Sequence, residues 1–116
     1  MKNDNLIVNM TFDFALMTIA LYRQLLEQKE FVLSKQLLRS GTSIGANVEE
    51  ALAGQTKKDF IAKMSIASKE ARETRYWLRL LDQSKLVNLS YDKHLKFIED
   101  IINVLTKIVK TAQSTI

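Results

Sequence analysis

The sequence predicts an all-α fold, a single domain of residues 1–116 built as an antiparallel up-down-up-down four-helix bundle. Three observations lead there. Proline is absent and glycine occurs only three times in 116 residues, whereas β-rich folds are punctuated by both. Apolar residues recur at steps of three and four through four long stretches, the spacing of a buried helix face. The connections between those stretches are short, which makes consecutive helices antiparallel neighbours.

Helix one is expected from Asn9 or Thr11 to Gln28, with Met10, Phe14, Met17, Leu21 and Leu25 along one face. A second apolar stripe, Phe12, Leu16, Ile19 and Leu26, lies nearly opposite. It either borders a wide core face or meets another subunit or the N-terminal arm. Helix two begins between Phe31 and Ser34 and ends at Gly54, a glycine suited to a left-handed cap. Its inward face reads Leu37, Gly41, Ile44, Val48 and Ala51.

Thr56 caps helix three, with Asp59 at the capping-box position. The seam Phe60, Met64, Ala67, Ala71, Thr74, Leu78 and Leu81 carries that helix to Asp82 or Ser84. Asn88, Ser90 and Asp92 supply loop and cap chemistry before helix four. Leu95, Ile98, Ile102, Leu105, Val109 and Ala112 form its face, flanked by Phe97, Ile101, Val104 and Ile108. The end, Thr111 to Ile116, is expected to fray unless an oligomer holds it.

A hydrophobic content of 47% in 116 residues is enough for one core without staples. The absence of cysteine excludes disulfides and thiolate metal sites and suits a reducing compartment, so a cytoplasmic location is expected. The patch Leu6 to Val8 is too short for a signal-peptide core, and no later apolar run approaches the roughly 20 residues of a bilayer span. No membrane partner is therefore expected. A net charge of +4 permits a polyanionic partner without requiring one.

Catalytic patterns fail on context. Gly41-Thr42-Ser43-Ile44-Gly45 matches G-x-S-x-G, but that nucleophile needs a strained turn between strand and helix, and here it falls inside a helix. His94, the only histidine, sits at the start of helix four with nothing to bring it to Ser43. The Glu-x-x-His pairs of bundle di-iron sites are absent, so no metal or cofactor is expected. The protein reads as a non-enzyme.

Two features call for partners. Gly41 and Gly45 each cost roughly 1 kcal/mol in a helix interior, which points to close packing. The facing surface is expected to be the small residues of helix three, Ala62, Ser65, Ala67, Ser68 and Ala71. Beside the glycines runs a polar stripe, Arg39, Ser43, Asn47 and Glu50, with Ser40 adjoining. Folding the hairpin near Gly54 to Thr56 sets Arg39 against Glu70 or Glu73 as a buried or half-buried bridge. Ser43 and Asn47 are expected to bond across the same contact.

Helix three is asymmetric. From Lys57 to Arg79 it holds seven basic residues against three acidic ones, the whole of the chain's excess charge. At about 100° per residue, Lys57, Lys58, Lys69, Arg72, Arg75 and Arg79 share one flank. Asp59, Glu70, Glu73 and Trp77 share the other. Three readings stand: a solvated surface, a basic track for nucleic-acid phosphates, or a head-to-tail subunit contact joining the two flanks. Trp77, with Tyr76 beside it, either anchors an interface through Glu70, Glu73 and Trp77 or packs under helix one.

The motifs Leu38-Arg39-Ser40-x-x-Ser43-Ile44-x-x-Asn47-Val48-x-Glu50 and Ala67-Ser68-x-Glu70-x-x-Glu73-Thr74-x-x-Trp77-Leu78 resemble those of the bacterial 23S rRNA intervening-sequence proteins. The resemblance covers Phe12 to Ala112. It implies an up-down bundle assembled as a homopentamer, often with a basic surface, and a scaffolding or RNA-binding role. Some relatives are encoded within insertions in 23S rRNA genes, and one serves a diversity-generating retroelement as an accessory that binds nucleic acid and a reverse transcriptase. A protein-partner adaptor without RNA contact is the alternative.

Overall fold

A computed structural model describes residues 2–115, with side chains from residue 5. Four helices follow one another: α1 Lys2–Glu27, α2 Leu33–Ala53, α3 Lys57–Ser84 and α4 Asp92–Ser114. Each packs on its two neighbours, α1 on α2, α2 on α3, α3 on α4 and α4 back on α1, to close an up-down-up-down bundle. The α2–α3 contact is the most extensive and the α1–α4 contact the least. With 28 residues α3 is long, about 42 Å at 1.5 Å per residue, and it runs nearly the length of a 47 × 20 × 20 Å body.

The core is made largely by the expected faces, with Met10, Met17, Phe60, Leu95 and Val109 only half-buried and Ile7 added. Leu37, Gly41, Ile44, Val48 and Ala51 of α2 are all buried, and so is the α3 seam from Met64 to Leu81. Phe14, Leu21 and Leu25 of α1 meet Ile98, Ile101, Ile102 and Leu105 of α4 in the same cluster. Phe14 and Phe97 pack edge to face across it, their centroids 5.6 Å apart.

Helix one starts earlier than expected, at Lys2. Thr11 looks like a cap in sequence, but it is buried in mid-helix and donates its hydroxyl to the Ile7 carbonyl at 2.8 Å, a bond that satisfies a hydroxyl without ending a helix. There is thus no separate N-terminal arm among the described residues to cover the second stripe. Phe12, Leu16 and Ile19 are 56%, 54% and 42% exposed, so they do not border the core. The stretch Asn5–Glu27 also reaches a mean hydropathy of 1.4, long and apolar enough for a membrane span by length and composition. The core helix of a globular bundle meets the same measure.

The helix ends hold further corrections. Gly54 has φ −64° and ψ 146°, an extended rather than left-handed cap. It is needed for room instead, since a Cβ there would lie 3.1 Å from the Ala51 carbonyl oxygen and 3.2 Å from Asp59 Cβ. Left-handed geometry occurs at Lys29 and Lys85, with φ of 63° and 57°. At the first, the N–H groups of Lys29 and Glu30 bond back to the carbonyls of Leu26 and Leu25, which is a Schellman ending.

Helix α2 opens on Glu30, whose buried carboxylate accepts from the backbone N–H groups of Val32, Leu33 and Ser34 at 3.1, 3.1 and 2.6 Å. Thr56 caps α3 by accepting from Asp59 N–H at 3.0 Å. No side chain caps α4 in place of Asn88, Ser90 or Asp92. Its first position follows Tyr91, which is held by burial and by donating its hydroxyl to the Val87 carbonyl. Helix α4 continues through Thr111 to Ser114; Met1 and Ile116 lie outside the described residues.

Gly41 and Gly45 face α1, not α3. A Cβ on Gly41 would lie 2.7 Å from Thr18 Cγ2 and 2.8 Å from Thr18 Oγ1, and one on Gly45 would lie 3.3 Å from Thr11 Oγ1. The expectation overlooked two buried threonines whose hydroxyls turn back onto their own helix, at Ile7 and Phe14, leaving the rest of the side chain to pack into the notch left by each glycine.

Candidate nucleic-acid interface

The α2–α3 contact carries a polar ladder. Arg39 spans two carboxylates one helical turn apart, with Nη1 3.2 Å from Glu70 Oε2 and Nη2 on Glu73 Oε2. Ser43 donates to the same Glu70 oxygen at 3.0 Å. The indole N–H of Trp77 donates to the same Glu73 oxygen at 3.1 Å. Beneath them the buried hydroxyls of Thr74 and Ser40 meet at 2.9 Å, and further along Lys63 reaches Glu50 at 2.9 Å. Asn47 differs from expectation: its amide donates to the Ser43 carbonyl of its own helix at 2.8 Å and does not cross the contact.

Burial lowers the Arg39 pKa, but hydrogen bonds and the charges of Glu73 and Glu70 outweigh it and hold the guanidinium above its ordinary range. The side chain is still 51% exposed against 16% and 33% for Glu70 and Glu73. The 3–5 kcal/mol of a buried pair therefore does not apply. A double-mutant cycle of Arg39→Ala with Glu73→Ala, read by urea unfolding, is expected to return about 0.5–1 kcal/mol of coupling. Zero coupling would leave the ladder without energetic content.

The basic flank of α3 divides in two. Arg75 turns to α4 and bonds both oxygens of Glu99, one of them at 3.2 Å. Arg72 reaches Thr106 of α4 at 3.4 Å while staying exposed, and Lys57 meets Thr115. Among the described residues Lys58, Lys69, Arg72 and Arg79 enter no salt bridge. These four line the outward face of α3 with exposed Tyr76 among them.

Among the described residues no comparable cluster forms elsewhere. Ser43 is an interior residue of α2, held by Glu70 and the Ser40 carbonyl. His94 lies on α4, diagonal to α2 across the bundle. Burial, reinforced by Lys93, outweighs the histidine's contact with the Met17 backbone and keeps its pKa below the ordinary 6.5. Among the described residues no group of three or more His, Asp or Glu side chains is placed to hold a metal. A shallow depression at the α2–α3 turn, bordered by Glu50, Gly54, Asp59 and Lys63, is open to solvent.

Sequence reading missed Thr11, Thr18, Glu30 and Glu99. Thr11, Thr18 and Glu99 act through contacts with another helix, and Glu30 caps N–H groups two to four residues further along the chain.

These features define an all-helical antiparallel bundle with a cross-helix polar ladder and a cationic outer face. The chain belongs to the 23S rRNA-intervening sequence protein family, which it matches over residues 3–109. It is similar to a protein of unknown function from the S23 ribosomal protein family of Bacteroides thetaiotaomicron VPI-5482. That likeness is 45% in identity, with a TM-score of 0.88 over 93% of this chain and 98% of the other. No curated protein matches the chain.

Proposed function

We propose that the protein is a non-enzymatic, cytoplasmic, homo-oligomeric scaffold that binds RNA along the outward face of α3. The observation that carries this is the row Lys58, Lys69, Arg72 and Arg79, without an ion pair or an intervening acid on that face. From Lys58 to Arg79 the row extends about 32 Å at 1.5 Å per residue, enough to follow several phosphates. Membership of a family named for 23S rRNA insertions agrees with it.

For assembly, the exposed stripe Phe12, Leu16 and Ile19 is the stronger surface. Glu70, Glu73 and Trp77 are already engaged by Arg39 and Ser43 within the chain, which weakens the head-to-tail contact between charged flanks. Five copies follow from the family resemblance. Light scattering that returns a monomer mass would remove the assembly.

Binding of structured RNA is expected to weaken steeply with salt. Four phosphate contacts give a loss of roughly 150-fold for a duplex and roughly 50-fold for a single strand between 50 and 200 mM. Arg72→Glu with Arg79→Glu should abolish it. If wild-type protein binds no RNA at low salt, the adaptor reading stands, with the α1 stripe as its protein-docking surface.

A further inference from the structure

We infer that the outward face of α3 takes RNA as a single strand, with an unpaired base stacked on Tyr76. This rests on the RNA reading above and names the form of RNA that the face fits. Tyr76 is 53% exposed and stands one turn from Arg72 and one turn from Arg79, with Lys69 two turns away on the same face. Cations alone suffice for a duplex, whose bases are already stacked on one another. An aromatic ring set among them adds affinity only where a base is free to leave its neighbours.

The ring is also held in place. Trp77 packs edge-on to Tyr76 with centroids 5.2 Å apart and planes at 69°. The Trp77 indole is tied to Glu73, and Glu73 to Arg39 of α2. The ladder between α2 and α3 thus ends in an aromatic pair, one member packed against the core and the other turned to solvent. A ring restrained before binding loses little freedom when a base lands on it. Arg72 and Arg79 then take the phosphates on either side of that base.

The test uses the full chain, a short fluorescein-labelled oligouridylate and a blunt RNA duplex of the same length, with affinities read by fluorescence anisotropy across salt. Tyr76→Ala is expected to lower single-strand affinity about tenfold, leaving duplex affinity and the salt slope unchanged. Tyr76→Phe keeps the ring and should bind as wild type. Arg79→Ala should weaken both RNAs and flatten the salt slope by about one.

If Tyr76→Ala binds the single strand normally while Arg79→Ala does not, stacking is overturned and the cationic track survives. If Tyr76→Ala changes the mass of the assembly and not the RNA affinity, the residue is a subunit contact and the inference is wrong. If wild-type protein binds neither RNA, the parent reading falls with it.

Discussion

Replacing Gly41 by alanine is expected to destabilise the bundle by about 1–3 kcal/mol, although alanine favours a helix over glycine by about 1 kcal/mol. The new methyl would sit 2.7 Å from Thr18 Cγ2 and 2.8 Å from Thr18 Oγ1. Neither is the loose end of a flexible chain. A β-branched side chain has few χ1 choices in a helix, and the Thr18 hydroxyl is bonded to the Phe14 carbonyl at 2.9 Å. Relief must come from moving α1 away from α2.

Thr18→Ala removes both crowding atoms, so the pair Gly41→Ala with Thr18→Ala should recover most of the loss. Urea unfolding of the four proteins measures this as coupling. A Gly41→Ala protein more stable than wild type would show that the contact is looser than described. Gly45→Ala is the control: its nearest neighbour, Thr11 Oγ1 at 3.3 Å, needs to yield only slightly, and the change should be much smaller.

Glu30→Ala should cost about 2 kcal/mol or more, because three backbone N–H groups at the start of α2 lose their acceptor together. The same carboxylate ties stability to acidity. Burial by itself raises its pKa, but the N–H groups of Ser34, Val32 and Leu33 outweigh that and hold it below the ordinary 4.5. The folded protein therefore binds this proton less readily than the unfolded chain.

Its contribution is complete above pH 4.5 and disappears as the pH falls through the lower folded value. The gap in stability between wild type and Glu30→Gln, followed by denaturant unfolding, should accordingly narrow below pH 4.5. A gap that stays constant through that range would rule out the ionised cap.

The bundle was legible because its faces repeat. The α3 seam from Met64 to Leu81 and the α2 face from Leu37 to Ala51 are buried as their spacing requires. Arg39 with Glu70 and Glu73 was legible too, since the short turn fixes how far each residue lies from the fold-back point. What escaped were choices between equivalent partners. The glycines of α2 needed a facing surface with small contours, and α3 offered alanines and serines. Nothing in the composition of α1 shows that Thr11 and Thr18 bend their hydroxyls back to Ile7 and Phe14 and pack into the same notch.

Glu30 escaped because a cap is sought at the residue just before the helix, and this one stands three residues before Leu33. On the basic flank, spacing grouped Arg75 with Arg72 and Arg79. Only the position of Glu99 on α4 shows that Arg75 is already paired.

The uneven contacts around the bundle also set an order of events. The most extensive contact, α2 with α3, joins helices linked by the three residues from Gly54 to Thr56. The least extensive, α1 with α4, must bring together the two ends of the sequence. Closing the longer loop costs more chain entropy and brings less of the backbone into close approach. The α2–α3 hairpin is therefore expected to form first and α1 against α4 last, an order that φ-values at Leu37 and Leu21 would check. The same seam is then expected to open first, read as the earliest amide exchange, lifting from the core the helix that already carries the largest outward row of apolar side chains.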